Sequence, residues 1–423
     1  MILFGIMIIC IALSIPIGIT LGISTALCLW LFSDVSLIMI AQKSATGLDS
    51  FPLLAIPFFM LAGSLMSEGG IAKRIVNLAD SLIGFVAGGL AMVTVMACMF
   101  YAAISGSGPA TVSAIGSFMI PAMKERNYDA PFAAAITAAA GTIGVIIPPS
   151  IPFVIYCVVA QASIGDMFLG GVIPGIMIGI ALMIVCMITS KKRGYVSSTA
   201  RPTARSIGKA FREAIFAIMV PVIILGGIYS GVFTPTEAAV VAVAYSIVVG
   251  KFIYKELSNK AIYECFRLCG LMNGALEFMI GLSMAFAAFL AMEQIPAAIA
   301  TWLTGLSDSW IVIMLVINVI LLILGCFVDN IAAVIILTPI LLPVVTKLGI
   351  HPIHFGLIIT VNLACGFLSP PYGINLFVAS AVSGESIEKV SVAVLPSFIA
   401  VIICLMLFTY FPILTMGLVN LAK

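Results

Sequence analysis

Long apolar segments separated by short polar breaks make up most of this 423-residue chain. Segments 168–188 and 390–411 contain no charged residue, and each reaches the ~20 residues that a helix needs to cross ~30 Å of hydrocarbon. Backbone groups in a bilayer core must bond within their own segment, so these segments are predicted to be helices. The chain has room for roughly ten to twelve spans. The apolar run that begins at Ile2 lacks a basic start and is predicted to be a retained span.

Two of the polar breaks repeat each other at a fixed spacing. One lies at 105–111 and the other at 328–333. Three pairs of positions match, namely Pro121 with Pro343, Gly144 with Gly366, and the proline pair 148–149 with 370–371. Their offset in residue number is constant, since 343 − 121 = 222 and 370 − 148 = 222. The chain therefore contains a duplicated unit. Apolar segments that are broken by Gly and Pro at corresponding places in two halves point to the midplane site of a secondary transporter.

Each unit is predicted to hold a helical hairpin followed by a broken helix. The predicted segments are the hairpin arms 89–104 and 109–121, the broken helix 130–160, the second hairpin 310–345 with its tip at Asp329–Asn330, and the second broken helix 352–382. The first hairpin's arms are ~15 residues long and too short for a full span. Both hairpins are therefore predicted to be re-entrant. Irregular backbone at that depth is tolerated only inside protein or beside water.

The positions of lysine and arginine predict the orientation. The loop 190–212 is strongly basic and contains Lys191, Lys192, Arg193, Arg201, Arg205, Lys209 and Arg212. Short basic loops stay in the cytoplasm, and the next basic stretch, 251–267, is separated from this loop by two predicted helices, about 211–229 and 236–249. Counting outward from these loops, the first hairpin opens to the cytoplasm and the second to the outside. The repeats are therefore predicted to be inverted.

The organisation that follows is an all-α polytopic membrane protein with inverted structural repeats, two re-entrant hairpins and two broken helices. The predicted parts are 1–88 (scaffold helices and a first interfacial arm at 71–83), 89–166 (first transport half), 167–292 (scaffold), 293–308 (second interfacial arm), 309–388 (second transport half) and 389–423 (a C-terminal span). The arms are predicted to lie along the membrane surface because they are too short and polar to span it.

The composition agrees with a membrane protein. Hydrophobic residues make up 63% of the chain, charged residues 9%, and the mean hydropathy is +1.28, whereas soluble domains carry about 25% charged residues. The net charge of +2 gives no reason to expect a nucleic-acid partner. The ten cysteines show no metal-ligand spacing, and cysteines scattered in apolar helices behave as small hydrophobes.

The polar breaks contain the groups that could bind ions and substrate. A helix that is broken at mid-membrane exposes carbonyl groups at one half-helix end and N–H groups at the other. Segments 141–150 and 365–373 suit such breaks, because glycine permits unusual dihedral angles and proline opposes helix continuation. A proline kink used only for packing is the alternative for either segment alone. Two breaks at one offset, each beside a polar tip, favour a site.

Side-chain oxygens at the two tips come from Ser105, Ser107, Thr111, Asp329 and Asn330. Hydroxyl groups in membrane helices often bond their own backbone, so a capping role stays open for them. Asp329 is one of very few acidic residues in the apolar body, and an intramembrane carboxylate indicates function. Glu277 is predicted instead to pair or to face an interface, since no polar neighbour flanks it. Hydroxyls, carbonyls and one carboxylate suit Na⁺, whereas proton-driven transport usually uses a chain of Asp, Glu or His.

Four motifs in this order resemble one known family. They are Ser105–Thr111 (SGSGPAT), Gly141–Ser150 (GTIGVIIPPS), Gly226–Tyr229 with Phe233–Glu237 (GGIY and FTPTE), and Leu368–Asn375 (LSPPYGIN). The chain resembles the large membrane subunit of tripartite ATP-independent periplasmic (TRAP) transporters, the DctM-like permeases. The resemblance implies an elevator-type ion-transporter fold, in which a transport domain slides against a scaffold. It also implies Na⁺-coupled uptake of an organic acid across the bacterial inner membrane.

The resemblance also implies partners and site residues. The expected partners are a small membrane subunit of about four helices, a periplasmic substrate-binding protein, the organic-acid substrate and membrane lipid. Two Na⁺ sites are implied, with Ser105, Ser107, Gly141, Gly144 and Val145 around one and Asp329, Gly366 and Leu368 around the other. The substrate is expected near Thr142, Ser150, Asn330, Asn362 and Tyr372. The small subunit is expected as a separate chain.

Other functions fit the residues less well. A membrane-embedded enzyme needs a nucleophile with a base, and Ser107 has no evident basic neighbour, so no catalytic residue is predicted. A channel would not need two inverted hairpins around one site. An ion-coupled transporter of the same fold that works without a binding protein stays open. Sialic acid and C4-dicarboxylates are the expected substrate classes, with a slight preference for sialic acid that no residue supports.

Overall fold

The computed structural model of the chain describes residues 2–32, 35–86, 88–195, 203–307, 309–370 and 373–422. All regular elements of these residues are helical. The helices are α1 (Ile2–Ala12), α2 (Ile17–Phe32), α3 (Ile38–Leu48), α4 (Ala55–Glu68), α5 (Ile71–Ile83), α6 (Gly89–Ser105), α7 (Gly108–Glu125), α8 (Ala130–Gly141), α9 (Ile151–Ala160), α10 (Ile164–Arg193), α11 (Ala204–Tyr229), α12 (Pro235–Val248), α13 (Asn259–Met292), α14 (Ile295–Leu306), α15 (Trp310–Gly325), α16 (Asn330–Lys347), α17 (Pro352–Gly366), α18 (Ile374–Ser383), α19 (Ile387–Tyr410) and α20 (Ile413–Leu421).

Seven helical segments in the described part of the chain are long and apolar enough to cross a membrane. They are Phe51–Glu68, Ile164–Arg193, Ala204–Tyr229, Pro235–Ile253, Asn259–Met292, Asn330–Lys347 and Ile387–Tyr410. Shorter apolar helices of 10–17 residues accompany them and include both halves of each predicted broken helix. The chain is therefore a multi-pass membrane protein, as its composition predicts. The sidedness of the spans stays a prediction.

The helix bounds repeat at the offset found in the sequence. Helices α7 and α16 match at both ends, since 330 − 108 = 222 and 347 − 125 = 222, and the starts of α8 and α17 match too, since 352 − 130 = 222. The starts of α10 and α19 deviate from this offset by one, since 387 − 164 = 223. The duplicated motifs are therefore carried by duplicated helices, from the hairpin arm onward.

The basic loop is shorter than the predicted 190–212. Helix α10 continues to Arg193, where its basic last turn suits the negative end of the helix dipole. Helix α11 starts at Ala204, ahead of the predicted start at 211, because Thr203 forms a capping box. The Thr203 hydroxyl accepts from the Ser206 N–H at 3.3 Å, and the Ser206 hydroxyl accepts from the Thr203 N–H at 3.1 Å. Such caps satisfy N–H groups that the first helical turn leaves unpaired.

The helices of the two repeats interleave. In the first repeat α7 packs against α8, but it also packs against α18 from the second repeat. In the second repeat α16 packs against α17 and also against α9 from the first repeat. Each hairpin arm therefore contacts the second half of the other repeat's broken helix. This exchange brings the two breaks into one body of packed helices.

A second group of helices lies beside this body. Helix α13 packs against α2, α3 and α4, and α12 packs against α4 and α11. Glycines allow close approach here, since a Cβ atom at Gly18 would lie 3.1 Å from the Met279 backbone. Helix α5, one of the two predicted arms, packs against both α6 and α11 and so connects the two groups.

Arg74 fixes α5 to the second group. Its guanidinium lies 2.8 Å from a Glu256 carboxylate oxygen and 3.7 Å from the centre of the Tyr254 ring. The Tyr254 hydroxyl in turn donates to the carbonyl of Glu213, on α11, at 2.9 Å. The arm predicted at 71–83 is thus helical over those same residues and anchored at one end. Its depth in the membrane stays a prediction.

Candidate cation and substrate site

The first hairpin turns at Gly106. Helix α6 ends at Ser105, Gly106 adopts a left-handed conformation with φ +59°, and Ser107 is the N-cap of α7. Glycine is favoured at this φ because it has no Cβ atom to clash with the backbone. The break lets the chain reverse within a short turn and places the Ser107 carbonyl beside the start of α7.

Three oxygens meet at this turn. The Thr111 hydroxyl donates to the Ser107 carbonyl at 2.7 Å, and the Ser105 and Thr111 hydroxyl oxygens are 2.8 Å apart. The Ser105 hydroxyl also lies 3.3 Å from the Ser107 carbonyl oxygen. Ser105 and Thr111 are buried, with 5% and 0% of their surface exposed. The cluster therefore offers two hydroxyl oxygens and one main-chain oxygen in a largely water-free position.

The break of the first broken helix lies directly against this cluster. Helix α8 ends at Gly141, a 3₁₀ turn covers Thr142–Val145, and α9 begins at Ile151. A Cβ atom at Gly144 would lie 2.5 Å from the Ser107 carbonyl oxygen and 2.6 Å from Thr111 Oγ1. The Ile151 N–H donates to the Gly106 carbonyl at 3.3 Å. The structure thus joins the first tip to the first break, as the sequence predicts.

These oxygens fit the Na⁺ that the family resemblance implies. Hard cations take oxygen ligands, and selectivity filters use main-chain carbonyls in the same way. Gly144 packs directly against the cluster, because a side chain at this position would overlap two of the oxygens. Ser105, Ser107 and Gly144 are therefore together, with Thr111 as a further oxygen donor. The Val145 carbonyl accepts a hydrogen bond from the Ser150 hydroxyl at 2.7 Å.

Two of the expected substrate residues use their hydroxyl groups locally. Thr142 donates to the Ala139 carbonyl at 2.7 Å. Ser150 donates to Val145 and accepts from the Phe153 N–H at 3.4 Å, and so caps α9. Such local bonds are what hydroxyls form in an apolar environment. Both residues are fully buried, so the structure places them in the walls of the break.

The second tip is built differently. Asp329 is the N-cap of α16, and its carboxylate accepts from the Ile331 N–H at 3.0 Å. The Asp329 residue is half-buried. Asn330 is 1% exposed, and neither its amide oxygen nor its amide nitrogen has a hydrogen-bond partner among the described residues. A buried amide without a partner is costly, so Asn330 has bonding capacity for a ligand.

Gly366 does not repeat the environment of Gly144. The three atoms nearest to a Cβ at Gly366 all belong to Gly325, at the end of α15, the closest being its carbonyl oxygen at 2.1 Å. Leu368 is 1% exposed, so its side chain belongs to the core. Any ligand atom from this residue would therefore be its carbonyl oxygen. The contacts of Gly366 thus tie α17 to α15, whereas those of Gly144 tie the break to the tip.

Asn362 is held in a buried amide network. Its Nδ2 donates to the Asn318 carbonyl at 3.0 Å and to Asn318 Oδ1 at 2.7 Å. Asn318 Nδ2 then donates to Thr409 Oγ1 at 3.1 Å. This network connects α15, α17 and α19, and it leaves Asn362 Oδ1 without a partner among the described residues. Tyr372, the last of the expected substrate residues, lies outside the residues that the structure describes.

Sequence reasoning overlooked some polar partners. Glu277 is predicted to pair or to face an interface, and it does pair, because Asn273 Nδ2 donates to Glu277 Oε1 at 2.7 Å. Only the premise that no polar group flanks Glu277 is wrong. The two residues are four apart on one helix, a spacing that places them on the same face. Asn375 belongs to a quoted motif but carries no predicted role. Its burial and its position inside an apolar half-helix are the signals that point to it.

The family model described as "Tripartite ATP-independent periplasmic transporter, DctM component" matches residues 4–414. The isethionate TRAP transporter permease protein DctMQ of Oleidesulfovibrio alaskensis is 46% identical over 98% of this chain. The C4-dicarboxylate TRAP transporter large permease protein DctM of Pseudomonas aeruginosa is 42% identical over 95% of this chain and 94% of its own. The sialic acid TRAP transporter large permease protein SiaM of Vibrio cholerae is 38% identical over 96% of this chain and 95% of its own. This chain spans 65% of the length of the isethionate relative.

The fold is also that of a solved transporter. The YdaH transporter of Alcanivorax borkumensis superposes with a TM-score of 0.63 over 90% of both chains, at 13% sequence identity. At that identity the likeness shows the fold alone. The all-α polytopic transporter fold predicted from the sequence is therefore confirmed, while the re-entrant placement of the hairpins stays a prediction. Because the family model covers nearly the whole chain and these relatives match at least 95% of it, this chain belongs to the DctM family of TRAP transporter large permeases.

Proposed function

We propose that this chain is the large membrane subunit of a tripartite transporter that takes up an organic acid across the bacterial inner membrane, coupled to Na⁺. Its proposed partners are a small membrane subunit and a periplasmic substrate-binding protein. The family membership supports the class of transporter. The single observation that supports the coupling is the cluster of Ser105, Ser107 and Thr111 oxygens against the side-chain-free Gly144.

The charge of the substrate gives a second reason for a cation at this site. Neither broken helix, 130–160 or 352–382, contains lysine or arginine. A carboxylate or sulfonate would therefore meet half-helix N-termini, hydroxyls and amides, which offer only partial positive charge. Bound Na⁺ would supply a full positive charge beside the anion. The substrate is proposed to lie between the two tips, where Asn330 has an unpaired buried amide.

The proposed elevator motion needs a surface along which the two groups of helices can slide. Gly63 on α4 provides one close approach, since a Cβ there would lie 3.2 Å from the Ser105 Cα atom. This contact joins a helix of the second group directly to the first tip. Helix α5, anchored by Arg74, connects the same two groups. A glycine contact at the tip and a helical connection beside it support this motion.

The chemical class of the substrate is proposed to be a small organic anion. Relatives named for isethionate, C4-dicarboxylates and sialic acid match at least 95% of this chain. Family membership therefore does not select one of these acids. The proposal covers all three, and the preference for sialic acid has no support in the site. The ligand of the proposed periplasmic binding protein would decide among these acids.

Uptake by proteoliposomes tests the proposal. The purified chain with its small subunit is reconstituted, and the binding protein is added outside with labelled isethionate, succinate or N-acetylneuraminate. Accumulation of one acid under an inward Na⁺ gradient is expected, and it should vanish when the gradient is collapsed or replaced by choline. Uptake that is indifferent to Na⁺ would exclude the proposed coupling. Equal uptake without the binding protein would favour a transporter of this fold that works alone.

A further inference from the structure

Asn375 lies where the second repeat touches the first cation cluster. It is the second residue of α18, and it is fully buried. Helix α18 packs against α7 and α8, the two helices that flank the first tip and the first break. A polar side chain at this position therefore enters the first repeat's site from the other repeat.

The orientation of the Asn375 amide is fixed by one hydrogen bond. Its Nδ2 donates to the Ala138 carbonyl, near the end of α8, at 3.1 Å. Turning the amide over would place two oxygens against each other, so Oδ1 must point away from Ala138. That Oδ1 is buried and has no hydrogen-bond partner among the described residues. Leaving such an acceptor unpaired carries a substantial penalty, so the position calls for a ligand.

The unpaired oxygen lies beside the start of α7. A Cβ atom at Gly108 would lie 3.2 Å from Asn375 Oδ1 and 3.2 Å from the Gly141 carbonyl oxygen. Gly108 directly follows Ser107, whose carbonyl belongs to the cluster, and Gly141 is one helical turn before Gly144. Asn375 Oδ1 and the Gly141 carbonyl oxygen therefore both face Gly108, next to the residue whose carbonyl belongs to the cluster. Both atoms are hydrogen-bond acceptors, and oxygen acceptors are the ligands that a hard cation takes.

We propose that Asn375 Oδ1 is a ligand, contributed by the second repeat, of the cation bound at the first tip. This inference rests on the proposed Na⁺ coupling. It makes cation binding depend on α18 being seated against α7 and α8, so the bound cation holds the two repeats together. The competing role is structural, in which Asn375 serves only to satisfy the Ala138 carbonyl through Nδ2.

Two substitutions separate these roles. Asn375→Leu removes both the oxygen and the donor at nearly constant volume. Asn375→Asp keeps oxygen at the δ position but loses the donor to Ala138. If Asn375 is a cation ligand, only the leucine variant should lose Na⁺ affinity. If Asn375 serves only as a donor to Ala138, both variants should lose Na⁺ affinity to the same extent. Asn318→Leu is the matched control, because Asn318 is also fully buried and hydrogen-bonded but lies in the network with Asn362.

The measurement is Na⁺-dependent thermal stabilisation of the full-length chain in detergent, without substrate, at constant ionic strength with choline chloride. We expect Asn375→Leu to raise the half-maximal Na⁺ concentration by about tenfold or more, a loss that even indirect changes at metal sites produce. Asn375→Asp and Asn318→Leu should stay within about threefold of the wild type. Binding of ²²Na⁺ to the same preparations gives a second readout. If Asn375→Leu does not purify, Asn375→Ser replaces it.

Two outcomes would overturn the inference. One is a wild-type Na⁺ midpoint in Asn375→Leu, and a raised KM for the transported acid beside it would make Asn375 a substrate ligand. The other is an equal loss of Na⁺ affinity in Asn375→Asp, which would assign the donor role. If the wild-type chain itself shows no Na⁺ response, the proposed coupling fails and the inference falls with it. The wild-type titration therefore distinguishes the two failures.

Discussion

The two hairpin tips have matching positions in the repeat but different chemistry. At the first tip the ligand-type atoms are a main-chain carbonyl and two hydroxyls, packed against the break at Gly144. At the second tip a carboxylate caps its own helix, and the matching glycine, Gly366, packs on Gly325 instead. Duplicated helix bounds therefore do not produce identical tips. The first tip is closely packed against a break, whereas the second carries a charge.

The strongest test of this difference is Gly144→Ala. A methyl group there would meet two oxygens of the cluster at 2.5 and 2.6 Å, and overpacking of this kind costs about 1–3 kcal/mol. We expect uptake to fall by about two orders of magnitude, with loss of the Na⁺-dependent thermal shift. Gly270→Ala is the control, because among the described residues nothing beyond its chain neighbours and its own helix backbone lies within 4 Å of its Cβ position. Normal Na⁺ response in Gly144→Ala would remove the cluster from the cation site.

An equally large effect is expected at Asp329. Asp329→Ala should abolish uptake while membrane insertion stays intact, and it should also lose the helix cap, worth about 1 kcal/mol. Asp329→Asn keeps an acceptor for the Ile331 N–H but removes the charge, so it should lose uptake with a smaller change in Tm. Uptake and Tm are measured for both variants. Near-normal uptake by Asp329→Ala would exclude the carboxylate from the site.

Gly366→Ala should affect stability more than cation affinity. Its Cβ would meet the Gly325 backbone at 2.1 Å, and backbone atoms cannot rotate away as side chains do. We expect α15 and α17 to separate slightly, with a Tm lower by a few degrees and a Na⁺ midpoint within about threefold of wild type. An unchanged Tm with a large shift in the midpoint would show that Gly366 belongs to a cation site after all.

The smallest effect is expected for Ser107→Ala. The oxygen of Ser107 that accepts from Thr111 is its carbonyl, and alanine retains that atom. The Na⁺ midpoint should change by less than about threefold, whereas Thr111→Val, which removes a clustered hydroxyl, should raise it by about tenfold. Na⁺ titrations of the two variants side by side test this order. The reverse order would mean that the Ser107 hydroxyl turns toward the cation when it binds.

The repeat and the boundaries of its helices could be predicted from the sequence. Residues with special backbone requirements mark them, since glycine and proline restrict what the chain can do locally. The arm at 71–83 follows instead from the short and polar character of its segment, and the tip at Asp329 follows from the repeat. The hydroxyl cluster of the first tip could be predicted too, because Ser105, Ser107 and Thr111 are neighbours along the chain.

Contacts between distant segments could not be predicted in this way. Asn362 is predicted near the substrate, yet its amide bonds Asn318, 44 residues away. Asn375 reaches the Ala138 carbonyl over 237 residues, and Gly366 finds Gly325 rather than Asp329. Each of these contacts depends on which faces of the helices pack together. Hydrophobic periodicity does not predict the packed face of a helix that is apolar on all sides.

The interleaving of the repeats has a consequence for biosynthesis. Helix α7 ends at Glu125 and its partner α18 begins only at Ile374, so all of the chain between them must be made before the two can meet. At about 5–20 residues per second, the ribosome takes about 12 to 50 s to do so. During that interval the face of α7 that will cover Asn375 lies open in the bilayer. The first half of the chain therefore lacks this packing partner until the last part of the chain has been made.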